Sequence, residues 1–139
     1  MMKKLLCAMA LLGASSGLLA EQRSVTVILS DASGMTQGMA MVLANQMQAQ
    51  GAQVDILLCD QAGVLALKEA GGEALKPNDV TPAQLLAAAM NKGATASVCA
   101  LYLPNSGHPK AALKDGVGVA KPDDMARAML ESGRKVFSF

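Results

Sequence analysis

The stretch "SVTVILSDASGMTQGMAMVLANQMQAQGAQVDILLCD", Ser24 to Asp60, decides the fold because it places one helix between two apolar strands. Its first segment, "SVTVILSD", is rich in β-branched and aliphatic residues and ends in turn formers, which is typical of a strand. The segment "AQVDILLCD" predicts a second short strand that ends near Cys59. Between them, "MTQGMAMVLANQMQAQG" predicts a helix that stops at a glycine and has its apolar positions at Met39, Val42, Leu43 and Met47.

The rest of the chain continues this alternation of strands and helices. The segment "DVTPAQLLAAAMNKG" has the clearest helix signals, with a capping residue at Thr81, a proline at Pro82, Gln84 three residues after the cap and a stop at Gly93. Shorter helices are predicted in "AGVLALKEAGG", in "PDDMARAMLESG" and from Pro109 to Lys114. Further strands are predicted in "GATASVCALYLPN", in "RKVFSF" and, as a small edge strand, in "DGVGVAK".

This alternation predicts the fold class. Strands separated by helices favour parallel pairing, because a parallel partner can be reached only through a crossover connection. Near-continuous apolar strands such as "VTVIL" and "VDILL" agree with a sheet that is buried on both faces. We therefore expect an α/β protein: a single-domain, three-layer α/β/α sandwich around a mostly parallel sheet of about five strands.

The first twenty residues, "MMKKLLCAMALLGASSGLLA", have the layout of a secretory signal peptide. Two lysines precede an apolar stretch, a small-residue break follows, and cleavage is predicted after Ala20. The apolar stretch is well short of the roughly 20 residues that span a bilayer. We therefore divide the chain into a signal peptide, 1–20, and one α/β domain, 21–139, that is exported to the periplasm without a membrane segment.

Charge and cysteine content narrow the class of function. Removing Lys3 and Lys4 leaves ten basic residues against eleven acidic ones, a formal charge of −1. Such a chain is not basic enough to bind nucleic acid or an anionic membrane surface. Cleavage of the predicted signal peptide removes Cys7, so the mature chain keeps only Cys59 and Cys99. Two cysteines are too few for the disulfide framework of a small secreted scaffold.

Three polar features are predicted at the carboxyl ends of strands, where open α/β sheets bind their ligands. They are Asp31 with Ser33, Cys59 with Asp60, and Cys99. For Cys99 two interpretations stay open: an inert, buried thiol, or a thiol whose pKa is lowered by the positive backbone potential of helix N-termini.

Cys59, within "ILLCD", is interpreted as a core residue. A disulfide between Cys59 and Cys99 needs Cα atoms within about 7 Å. If the first strand lies between their two strands, the strand spacing disfavours this bond.

His108, the only histidine, is predicted in an exposed loop, because a general base or metal ligand would need partners that the sequence does not place. Soft thioethers together with Cys99 and His108 would suit Cu(I). The helical spacing of the methionines favours core packing instead. The predicted mature chain contains seven methionines: Met35, Met39, Met41, Met47, Met90, Met125 and Met129.

The order of segments resembles the DsrE/DsrF-like family across nearly all of residues 21–139. The resemblance is carried by "VTVILSD", "MAMVLANQMQAQGAQVDILL", "AGV", "GATASVCALYL" and "LKDGVGVAKPDDMARAMLESGRKVFSF". Its most specific part is a cysteine that ends a strand, followed after a loop by "DGVGVA" and a last helix and strand. Two features depart from the sulfur-relay members: the loop "ALYLPNSGHPK" is apolar rather than small and basic, and the chain has an export signal.

The resemblance implies a compact α/β fold, assembly into oligomers, and transfer of sulfane sulfur as a persulfide on Cys99. We therefore expect a periplasmic sulfur-relay protein that needs no metal or organic cofactor. We expect it to form a homo-oligomer and to exchange sulfur with donor and acceptor proteins or small thiols. The alternative is a non-catalytic periplasmic binding or interaction module, for instance for Cu(I), with Cys99 as a ligand or an inert core residue.

Overall fold

The structure is a computed structural model, and it describes residues 21–139. The predicted signal peptide lies outside these described residues. Within them, no helix is both long enough and apolar enough to cross a membrane.

Five parallel strands form one sheet in the order β4-β3-β2-β1-β5. The strands are β1 (Ser24–Leu29), β2 (Gln53–Leu58), β3 (Thr95–Val98), β4 (Val117–Val119) and β5 (Lys135–Ser138). All four neighbouring pairs are parallel, with Leu29 beside Leu58 and Leu58 beside Val98. The expected five-stranded α/β fold is therefore confirmed, with β4 at an edge as predicted.

Among residues 21–139, four α-helices connect the strands, and the starts of two of them are capped by the side chains of Ser33 and Thr81. They are α1 (Gly34–Ala49), α2 (Pro82–Asn91), α3 (Tyr102–Ser106) and α4 (Pro122–Met129). At α2 the predicted capping box is present: Thr81 Oγ1 accepts from the Gln84 backbone N–H, and Gln84 Oε1 accepts from the Thr81 N–H. These reciprocal bonds satisfy two of the free N–H groups at the helix start.

The core lies between one face of the sheet and the helices α1 and α2. The inward-facing residues of β1 alternate along the strand, and Leu29 at its end is fully buried. Leu58 and Val98, at the ends of β2 and β3, are also fully buried. Each side chain of this size contributes about 1.5–3 kcal/mol on burial, so the carboxyl ends of the three central strands are firmly anchored.

The opposite face of β1 and β2 carries a charged cluster. Arg134 Nη1 lies 2.6 Å from Asp55 Oδ2 and 3.1 Å from Thr26 Oγ1, and Arg134 Nη2 lies 2.8 Å from Glu131 Oε2. Burial alone would lower the pKa of Arg134, but hydrogen bonds and charge from Asp55 and Glu131 raise it overall. This ion pair fixes the start of β5 to the middle of the sheet.

Three predicted segments differ from the structure. The predicted helix from Pro109 to Lys114 is a 3-10 helix of three residues, Lys110–Ala112. The predicted helix in "AGVLALKEAGG" is instead a 3-10 helix, Asp60–Ala66, that begins directly after Cys59. The apolar run after Cys99 does not extend β3, because the chain turns into the short helix α3. Pro104 has no N–H for a strand ladder but is tolerated in the first turn of a helix, which explains the change.

Candidate functional site

The two cysteines meet at the carboxyl edge of the sheet. Cys59 and Cys99 directly follow β2 and β3, which are neighbours, and their Cα atoms are 5.1 Å apart in a disulfide. The arrangement in which β1 separates these strands is wrong, because β1 lies on the other side of β2. Cys59 is therefore not a simple core residue: it is half-buried and bonded to Cys99.

The backbone around both cysteines is fixed by the sheet and by the turns that leave it. Cys59 N–H donates to Leu29 O at 2.8 Å, and Cys99 N–H donates to Leu58 O at 2.9 Å. The Cys59 and Cys99 carbonyls then accept from the first turns of the segments that follow. Asp60 follows Cys59 with a φ of 44°, in the left-handed region that aspartate tolerates better than most residues.

An open cleft of about 730 Å³ lies beside the disulfide. It is bounded on one side by the residues after β2 and on the other by those after β3. Both cysteines are half-buried and line this cleft. The other lining residues are Asp60, Gln61, Val64, Leu101, Tyr102, Asn105, Ser106 and His108.

Tyr102 forms a wall of this cleft through two close contacts. A Cβ atom on Gly63 would overlap the Tyr102 ring, so the ring packs directly on the glycine backbone. The ring also stacks with exposed His108, with ring centroids 6.4 Å apart and planes 25° apart. Burial raises the pKa of the Tyr102 phenol, and a hydrogen bond with Ser106 partly offsets this. His108 is exposed, as predicted, but it also lines the cleft.

Lys114 joins the two loops that carry the cleft. Its Nζ donates to Leu65 O at 2.8 Å and to Leu67 O at 2.7 Å. Its backbone N–H donates to Ala66 O at 2.8 Å, and Leu67 and Leu113 form an antiparallel bridge. Burial lowers the pKa of Lys114. The segments after β2 and β3 are thus connected by bonds that do not involve the disulfide.

The other predicted polar features have structural roles. Asp31 Oδ1 accepts from Ser33 N–H at 2.6 Å, and Ser33 Oγ accepts from Thr36 N–H at 3.4 Å, so this pair shapes the start of α1.

The helix after Cys99, α3, has only five residues, and Tyr102 N–H already donates to Cys99 O. The interpretation in which a helix N-terminus lowers the pKa of the Cys99 thiol therefore stays a prediction.

Within residues 21–139, no methionine lines the cleft that contains Cys99 and His108. Met41 is buried in the core, whereas Met35 and Met39 are exposed on α1, so these three do not join Cys99 and His108. Among residues 21–139, no group of three or more His, Cys, Asp or Glu side chains could hold a metal ion. The disulfide also removes the thiolate that Cu(I) would bind.

Sequence reasoning did not identify Gly63, Tyr102 or Lys114 as part of the site. Tyr102 had one available signal, since it is the only tyrosine in a chain without tryptophan. Gly63 and Lys114 had none, because their importance comes from contacts with residues about 40 to 50 positions away.

Two solved structures share this architecture. The YchN protein from E. coli superposes with a TM-score of 0.67 at 20% sequence identity, covering 85% of this chain and 99% of that one. A protein of unknown function, MTH1491 from Methanobacterium thermoautotrophicum, gives a TM-score of 0.64 at 13% identity, covering 86% of this chain and 100% of that one. No protein-family model and no curated protein matches the chain.

These likenesses concern the fold alone. The chain has a single-domain α/β fold of the DsrE/YchN type, with a five-stranded parallel sheet flanked by helices. Function must be argued from the site, because one fold can host unrelated activities.

Proposed function

We propose that this chain is an exported sulfur-relay protein in which the reduced form of Cys99 carries sulfane sulfur as a persulfide. The observation that carries this proposal is the position of Cys99: half-buried, at the carboxyl end of β3, on the wall of an open cleft. The fold of the DsrE/YchN type and the resemblance of the sequence to the relay family add support.

The proposed reaction needs only the cysteine. The Cys99 thiolate attacks the terminal sulfur of a donor R–S–S⁻, a Cys99 Sγ–S bond forms, and the donor leaves as its thiolate RS⁻. An acceptor thiolate then takes the terminal sulfur and restores the Cys99 thiolate. The oxidised protein cannot begin this cycle, because both sulfur atoms are bonded to each other, so the disulfide must first be reduced.

The same proposal places the mature chain, Glu21 to Phe139, in the periplasm. A disulfide suits an oxidising compartment and agrees with the export signal. Mass spectrometry of the protein from a periplasmic fraction is expected to give a first residue of Glu21. A product that retains residues 1–20 would contradict the predicted cleavage.

We also propose that the protein forms a homo-oligomer. All four residues of the edge strand β5 are exposed, including Val136 and Phe137, and Leu130 before it is 85% exposed. Large apolar side chains near an open strand edge favour association. Light scattering during size-exclusion chromatography is expected to give more than one subunit, and a monomer at all concentrations would exclude this part of the proposal.

The central test uses the reduced mature chain, Glu21 to Phe139, and inorganic polysulfide without oxygen. Intact mass of the Cys59→Ser variant is expected to increase by one sulfur atom, and that of the Cys99→Ser variant to stay unchanged. The two variants are matched, since both lack the disulfide and differ only in which thiol remains. No added sulfur on Cys59→Ser, or equal addition to both variants, would refute a specific persulfide on Cys99.

A second candidate function is a non-catalytic binding or interaction module, which the disulfide itself favours. In that case the bond between Cys59 and Cys99 serves only to hold the two loops together. The measurement that separates the candidates is the rate of disulfide reduction by a phosphine under native conditions. Reduction and alkylation only after denaturation would favour the module, and reduction of the folded protein would favour the relay.

A further inference from the structure

The closeness of Cys59 and Cys99 does not depend on the disulfide. Both backbone N–H groups donate to carbonyls of the neighbouring strand, Leu29 and Leu58, and so extend the sheet ladders by one residue. Those carbonyls belong to residues whose side chains are fully buried. Reduction leaves these bonds in place, so the two thiols are expected to stay near the observed Cα separation of 5.1 Å.

We propose that Cys59 is the resolving cysteine of this site, so that the protein reduces sulfane sulfur and releases it as sulfide. This inference rests on the proposed persulfide at Cys99. It assigns a chemical role to the second cysteine, which a simple sulfur carrier would not need. The disulfide in the structure is then the oxidised product of the reaction rather than a permanent crosslink.

The step is balanced in atoms and electrons. The Cys59 sulfur attacks Cys99 Sγ, the bond between Cys99 Sγ and the terminal sulfur breaks, and the Cys59–Cys99 bond forms. The proton of the Cys59 thiol goes to the leaving sulfur, which departs as HS⁻. Two thiol sulfurs are oxidised to a disulfide, and the sulfane sulfur receives their two electrons.

Each further turnover needs two electrons from an external dithiol. One thiolate of that dithiol attacks the Cys59–Cys99 bond to form a mixed disulfide, and its second thiol then releases the protein in the dithiol form. Both cysteines line the open cleft, so we expect such a reductant to reach the bond. The structure thus favours reduction in the folded state.

The decisive experiment compares three reduced proteins with one equivalent of inorganic polysulfide in the absence of oxygen. The Cys59→Ser variant is expected to hold a persulfide. The wild type should end as the disulfide, two hydrogens lighter than the dithiol, with one additional equivalent of sulfide per disulfide formed. Because the attack is intramolecular, the persulfide should decay at least about 100-fold faster in wild type than in Cys59→Ser. The Cys99→Ser variant should gain no sulfur.

The outcomes separate the two proposals. Equal persulfide lifetimes in wild type and Cys59→Ser would overturn the role of Cys59 and leave the persulfide on Cys99 intact. Failure of both proteins to take up sulfur would overturn the proposed function and this inference together. Sulfur uptake by Cys99→Ser in place of Cys59→Ser would reverse the two roles and also overturn the inference. Wild-type protein without polysulfide must remain a dithiol over the same period, or the disulfide has another source.

Discussion

Reduction of the Cys59–Cys99 bond is expected to lower the free energy of unfolding by about 4 kcal/mol. The two cysteines are 40 positions apart in the sequence, so the bond closes a loop of about this length in the unfolded chain. The entropy that such a closure removes from the unfolded state corresponds to about 4 kcal/mol near room temperature. This is a large part of the roughly 5–15 kcal/mol that stabilises an ordinary domain.

Urea denaturation measures this difference directly. With a slope of about 1.5–2 kcal/mol per molar urea, the midpoint should fall by about 2–3 M when the wild type is reduced. The Cys59→Ser/Cys99→Ser double variant should have a midpoint close to that of the reduced wild type, and the reductant should leave it unchanged. A wild-type midpoint that does not move on reduction would refute the pairing of the two cysteines as a stabilising crosslink.

Three further predictions concern contacts around the sheet and the cleft. Arg134→Met should cost about 2–3 kcal/mol in urea denaturation, because it leaves the Asp55 carboxylate, which is 26% exposed, without its charged partner. Lys114→Met should cost about 2 kcal/mol in the same assay, since two carbonyls lose a charged donor. Native Tyr102 should titrate above the usual value of about 10, followed by phenolate absorbance, and Gly63→Ala should move its pKa back towards that value by displacing the ring.

Matched variants control these measurements. Arg127→Met and Lys110→Met change exposed cations, so each is expected to alter stability by less than about 0.5 kcal/mol. Equal effects for Arg134 and Arg127, or for Lys114 and Lys110, would contradict the roles assigned to the buried pair and to the loop contact. Because the pKa of Tyr102 is raised in the folded chain, stability should fall as the pH rises above the unfolded value of about 10. A native tyrosine titration identical to that in urea would contradict the packing of its ring.

The sequence predicted the parts of the fold that depend on local patterns. Helix α2 was found because its cap at Thr81 and its stop at Gly93 are properties of neighbouring residues. The strand order was not predictable in this way, since it depends on which side of the sheet each crossover reaches. The strand order determines whether the two cysteines can form a disulfide. Because β2 lies beside β3, Cys59 and Cys99 are close enough to bond, whereas β1 between these strands would keep them apart.

The sequence predicted where Cys99 lies in the fold, but not which other residues line the cleft beside it. Cys99 was expected near the end of a strand, and it directly follows β3. The cleft beside it depends on α3, which the apolar run "ALYLP" did not reveal because a strand and a short helix share that composition. Tyr102 therefore enters the site through a turn that is stabilised by its N–H bond to Cys99 O.

A site that works through reduction must keep its shape without the crosslink, and the contacts around the cleft meet this requirement. If the disulfide contributes about 4 kcal/mol, the reduced protein depends on its remaining bonds to hold the two loops. Lys114 supplies two of these by binding the carbonyls of Leu65 and Leu67, and the Leu67–Leu113 bridge supplies another connection. These connections remain when the disulfide is reduced. Their presence beside the cysteine pair is the physical reason to expect a folded dithiol form, which both the persulfide on Cys99 and its resolution by Cys59 require.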